Sequence, residues 1–114
     1  MSSTLTLSTA RLAGTAAGVD LAGELDMDSA DQLTAAVTLL IGQGYRDLTL
    51  GMSRVTFCDS TGLNALLGLL RKTKAAGGSL TLAAPADPVK RLLTMCGLET
   101  LIARQDGPGP GPIW

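Results

Sequence analysis

Cys58-Asp59-Ser60-Thr61-Gly62-Leu63 closes an apolar, strand-like run and opens a helix. From Leu63 onward the period changes. Leu63, Leu66, Leu67 and Leu70 recur at i, i+3, i+4 and i+7, which is one apolar stripe on a helix. Arg71, Lys72 and Lys74 fall in its last turns, and Gly77-Gly78 stops it. A hydroxyl therefore stands at a helix start beside a carboxylate. Ser60 can cap the helix, its oxygen accepting from an otherwise unpaired first-turn amide. The same amides and the macrodipole would also receive a phosphate esterified to Ser60. On these residues alone both uses of the hydroxyl are open.

Upstream, Thr4-Leu5-Thr6-Leu7 alternates with period two and predicts a first strand at a sheet edge. Arg11 to Gly18 is rich in small residues and reads as a loose strand or turn. Val19, Leu21, Gly23 and Leu25 then share one face of a half-buried strand, with Asp20, Ala22 and Glu24 on the other. Glu24, Asp26 and Asp28 make an acidic corner before Ser29-x-x-Gln32, which has the form of a capping box. The helix it opens, about 28 to 42, buries Ala30, Leu33, Val37, Leu40 and Ile41. Leu48, Leu50 and Met52 alternate along a third strand, and Val55 and Phe57 carry the chain to the central motif.

Downstream, Leu80, Leu82 and Ala84 alternate in another strand. Asp87-Pro88 reads as a cap followed by proline at the first helical position. Val89, Leu92, Leu93 and Cys96 supply that helix's stripe, and Leu98, Leu101 and Ile102 a last apolar contact in a short strand or helical turn. Alternating strands and helices predict an α/β domain. Its sheet has four or five strands, mixed and largely parallel. Because the strands alternate apolar with polar residues, three or more helices are expected mainly on one face. The repeated Gly-Pro of residues 107–112 excludes regular structure, so 105–114 is expected to be a flexible tail in which Trp114 either hangs or docks.

With 114 residues, 46% of them apolar, the chain can bury one core without staples. A net charge of -1 and a single Trp, Tyr and Phe argue against nucleic acid as the main partner. No apolar run approaches the ~20 residues of a membrane span. Met1 to Ser8 lacks a charged segment followed by an apolar one, which places the protein in the cytoplasm. Cys58 and Cys96 stand where apolar side chains are wanted and read as reduced core thiols. The chain has no histidine, which removes Ser-His-Asp and Cys-His catalysis. Two distant cysteines without histidine do not make a zinc site. Glu24, Asp26 and Asp59 could converge on Mg²⁺, but solvated loop and cap carboxylates are the simpler reading. No phosphate-binding glycine motif precedes a helix, so no cofactor is expected and the chain does not read as an enzyme.

Several blocks in order resemble the STAS domains of bacterial anti-sigma factor antagonists. They are Gly23-Glu24-Leu25-Asp26, Leu48-Thr49-Leu50-Gly51-Met52-Ser53-x-Val55-x-Phe57, Asp59-Ser60-Thr61-Gly62-Leu63, and Val89-Lys90-Arg91-Leu92-Leu93 before Cys96-Gly97-Leu98. The resemblance runs from about Val19 to Ile102 and implies a STAS domain over residues 1–104. It also implies Ser60 as the phospho-acceptor of a cognate anti-sigma factor serine kinase, which binds the ATP and Mg²⁺ itself. A phosphatase would reverse the modification. The implied partner surface is Glu24, Asp26, Asp59, Ser60, Thr61, Gly62, Leu63 and Asn64, with the protein a monomer or weak homodimer. Two positions depart from the family pattern. Gly51 stands where many members have aspartate, which takes a carboxylate from the acidic neighbourhood of Ser60. Asn64 stands where many have glycine, which enlarges the surface a partner would meet. A non-switched STAS subunit of an ABC-type lipid transporter or stress-sensing scaffold is the alternative.

Overall fold

A computed structural model describes residues 5–102; Trp114 and the Gly-Pro stretch lie outside them. Four strands form one sheet in the order β1 (Leu5–Ala13), β2 (Ala16–Leu25), β3 (Asp47–Cys58) and β4 (Ser79–Ala83). β1 runs antiparallel to β2, while β2, β3 and β4 are mutually parallel. Helices α1 (Ala30–Gly42), α2 (Ser60–Ala75) and α3 (Asp87–Met95) fill the connections. Leu5, Val19, Leu21, Leu48, Leu50, Met52, Leu80 and Leu82 turn to the buried face and join the helices' Leu33, Val37, Leu66, Leu69 and Leu93 in one core. Thr6, Asp20 and Thr49 on the opposite face stay exposed. The expected mixed, largely parallel sheet with its core on one side is what forms.

Several local expectations are corrected. β1 does not end at Leu7 but continues to Ala13, and Gly14, at φ 62, turns the chain directly into β2. Its second half is exposed on both faces, so pairing with β2 holds it, not burial. Ser29 makes no capping bond to α1. Its hydroxyl turns back, donating to the Glu24 carbonyl at 2.7 Å and accepting from the Asp26 amide at 3.0 Å, and Gln32 instead donates to the Leu5 carbonyl. The Asp26 carboxylate accepts from the Asp28 and Ser29 amides at 3.0 and 3.2 Å, fixing the turn that leads into α1. Ala84 lies outside β4 at φ 51, and Ala86 caps α3, so Pro88 moves to the second helical position. Cys96, just past the last turn of α3, is exposed, and Leu98 takes the buried place expected of it. The end of the chain combines both expected forms, a 3₁₀ turn at Glu99–Leu101 and a parallel bridge from Ile102 to Leu82.

β3 is more irregular than its sequence suggests. Opposite β2 it carries extra residues at two places, between Gly51 and Arg54 and between Val55 and Phe57. Each added residue turns the strand over, so the buried positions after Met52 are Val55 and Cys58, three apart instead of two. The second turn undoes the first, so Cys58 points inward and Phe57 outward.

Candidate functional site

β2 and β3 end side by side, with Leu25 opposite Cys58. The Asp59 amide donates to the Leu25 carbonyl at 3.3 Å, tying the end of β2 to the first turn of α2. Asp59 is extended, at φ -106 and ψ -172, and its carboxylate accepts from the Gly62 amide at 2.9 Å. Asp59 is therefore the N-cap, and Ser60 is the first helical residue. Of the two uses left open for the Ser60 hydroxyl, capping the helix is thus taken by Asp59. Both residue types cap well, and of two adjacent candidates the extended one can reach the third amide of the turn. Ser60 is exposed, and among the described residues its hydroxyl has no hydrogen-bond partner. The fold does not use that hydroxyl.

Gly62 makes the close approach possible. A Cβ there would run into the Leu25 carbonyl oxygen and lie 2.9 Å from Leu25 Cγ and 3.1 Å from Cys58 Sγ. The Gly23-Glu24-Leu25-Asp26 block and the Asp59-Ser60-Thr61-Gly62 block are thus joined across backbone. Glu24 is exposed opposite Phe57, and Asn64 is exposed one helical turn beyond Ser60. Asp59 and Thr61 are half-buried, while Gly62 and Leu63 are buried and set the position of the turn without offering surface. Gly51 is not a neighbour of Ser60. It sits back along β3 between Asp20 and Ala83, and the Asp20 carboxylate fills the space its side chain would take. Among the described residues no group of three or more His, Cys, Asp or Glu could hold a metal ion.

Composition did not point to the exposure of Phe57 and Met27 at this end of the sheet. Period two continued from Leu48, Leu50 and Met52 already turns Phe57 outward, a signal that could have been read. Met27, between Asp26 and Asp28 in a corner outside any periodic run, carries a local signal that could have been read.

Cys58 lies beneath the turn. Burial, with the charge of Asp59 and a smaller contribution from Cys96, pushes its thiol from an ordinary 9.0 up to about 11. It stays neutral and unreactive at physiological pH. Iodoacetamide at pH 8 should label Cys96 alone in the native protein and both cysteines after denaturation, as read by intact mass. Because the folded value lies above the unfolded one, the stabilisation from the neutral thiol is complete below pH 9.0 and is lost as pH rises toward about 11. The melting temperature should decline across that window.

The site is thus an Asp-capped helix start opening on an exposed serine, at the end of β2 and β3 in an α/β domain. The family model described as "Mlab, STAS domain" matches residues 8–103. An anti-sigma-B factor antagonist of Bacillus subtilis (strain 168) is 37% identical over 84 residues, 74% of this chain and 76% of that protein. One from Staphylococcus aureus (strain NCTC 8325 / PS 47) is 29% identical over 89 residues, 78% and 82% of the two chains. The solved anti-sigma factor antagonist SpoIIAA in its unphosphorylated form superposes with a TM-score of 0.77 at 25% identity, covering 86% of each chain. The chain belongs to the STAS-domain anti-sigma factor antagonist family.

Proposed function

We propose that this protein, acting in the cytoplasm, binds an anti-sigma factor that is a serine kinase, so freeing the sigma factor, and that phosphorylation of Ser60 ends the binding. The observation that carries this reading is the exposed, unused hydroxyl of Ser60 on a turn whose capping falls to Asp59. A phosphate there adds about -1.5 to -2 charges at pH 7. The helix start tolerates it, with stabilisation of about 0.3–1 kcal/mol for an anion near the first turn, opposed by the adjacent Asp59. A partner packed against the neutral hydroxyl would face a charge without a counter-ion, while the fold beneath stays as it was. SpoIIAA, whose fold this chain shares, is solved in both unphosphorylated and phosphorylated forms.

Residues 1–104 act as the module, with 105–114 appended. Glu24, Asp59, Thr61 and Asn64 supply the surface round Ser60, and Asp26, Gly62 and Leu63 place it. The kinase brings ATP and Mg²⁺, and a phosphatase resets the switch. The test is to incubate the protein with a serine-kinase anti-sigma factor of its own organism and Mg-ATP, then measure intact mass. One added phosphate is expected, absent from Ser60→Ala; equal phosphate on Ser60→Ala refutes the site.

A second reading, a STAS subunit without a switch, is favoured by the description of the matching family model, which names Mlab and not an antagonist. It requires that no such kinase modify the chain, and that it instead co-purify stoichiometrically with an ABC-type transporter or scaffold.

A further inference from the structure

Phe57 is the only phenylalanine of the chain, and it is 48% exposed one residue before the end of a core-forming strand. With Val55 buried after the first bulge, alternation without the second would turn Phe57 inward. Thr56 is the extra residue of the second bulge in β3, and opposite it Gly23 adopts φ 118. The Thr56 hydroxyl donates to the Gly23 carbonyl at 3.3 Å across the irregularity. The smaller Cys58 takes the next buried place. A bulge that re-aims a side chain beside a functional site is a recurrent use of that irregularity. Here it aims an aromatic ring outward beside Glu24, three residues before Ser60.

Met27, 69% exposed, lies two residues beyond Leu25, whose carbonyl is bonded to Asp59. Among the described residues the other large exposed apolar side chains, Leu12, Leu39 and Met95, are spread over β1, α1 and the end of α3. Aromatic and methionine side chains at the centre of an otherwise polar patch are typical anchors of protein partners.

Building on the Ser60 reading above, we infer that Phe57, assisted by Met27, is the apolar anchor for the kinase anti-sigma factor. The anchor sets how tightly the partner is held, whereas Ser60 sets how far phosphorylation weakens it. An apolar contact carries no charge for the phosphate to oppose, and Phe57 stands on the strand while Ser60 stands on the helix. The two effects therefore multiply.

The experiment takes each serine-kinase anti-sigma factor of the source organism, purified singly, and uses the one that phosphorylates Ser60. Titration calorimetry compares wild type, Phe57→Ala, Ser60→Asp and the double variant. Phe57→Ala should weaken binding about 10- to 100-fold. The factor lost on Ser60→Asp should agree within about 3-fold in the two backgrounds. Met27→Ala should lose about 3- to 10-fold, and Leu39→Ala, on the outer face of α1, should bind as wild type. If Phe57→Ala does not fold, Phe57→Leu replaces it, with a weakening of about 3-fold or more expected in a protein of wild-type circular dichroism. Phe57→Ala or its Leu substitute binding within twofold of wild type, while Ser60→Asp binds weakly, overturns the anchor and leaves the switch standing. Equal losses in Leu39→Ala and Phe57→Ala also overturn it. A wild-type protein that neither binds nor is phosphorylated by any of these kinases overturns both readings.

Discussion

Ser60→Asp should weaken binding to the anti-sigma factor by roughly 30- to 150-fold, about 2–3 kcal/mol, while the melting temperature moves by no more than about 3 °C. The two halves of that result have separate causes. Stability is insensitive because no hydrogen bond within the described residues uses the Ser60 hydroxyl, and the cap belongs to Asp59. A carboxylate at the first helical position gains a few tenths of a kcal/mol from the macrodipole and loses a similar amount to the neighbouring Asp59. Binding is sensitive because a docked partner would have to cover that charge without an opposite one. Calorimetric titration and a thermal melt on the same sample decide it. Wild-type affinity would remove the switch, and a large fall in melting temperature would show that the hydroxyl has a structural task after all.

The architecture was legible because its periods are clean. Leu48, Leu50 and Met52, Leu80 and Leu82, and Val19 and Leu21 alternate as strand residues do, and each lies buried. The apolar stripe of α2 was legible in its leucines but not in its phase. The helix buries Leu63, Leu66, Leu69 and Thr73, with Leu67 and Leu70 partly covered, because α1 packs along it as well as the sheet. What escaped were features decided by backbone pairing instead of side-chain pattern. The second half of β1 has almost nothing to bury, and only its pairing with β2, across a bulge at Ala10, holds it. The bulges of β3 fall at Met52-Ser53 and at Thr56, and no break in the apolar pattern announces that Val55 and not Arg54 is the next buried residue. The caps escaped for a related reason. Asp59 and Ser60 are equally good caps by residue type, and only the backbone angles choose between them. The site itself was legible as a motif, but what frees Ser60 was not.

Gly62→Ala should lower the melting temperature by roughly 5–15 °C and slow phosphorylation of Ser60 at least about 10-fold, although alanine is the better helix former. Helix propensity alone would favour the substitution by about 1 kcal/mol. Against it stands a new Cβ driven into the Leu25 carbonyl, 2.9 Å from Leu25 Cγ and 3.1 Å from Cys58 Sγ. One of these atoms is backbone and the others are core, so none can swing aside as a surface side chain would. Relief requires the first turn of α2 to lift off β2, at an overpacking cost of about 1–3 kcal/mol. The bond from the Asp59 amide to the Leu25 carbonyl holds the same seam, so the lift also shifts Ser60 relative to Glu24 and Asp26. Gly68 supplies the matched comparison. It lies in the interior of the same helix, and a Cβ there meets nothing within 4 Å. Gly68→Ala should therefore gain about 0.5–1 kcal/mol. Opposite signs from the same substitution on one helix would locate the effect in the seam between β2 and α2. If both variants were stabilised, the strand end and the helix start would not be in contact, and nothing would hold the acidic corner beside Ser60.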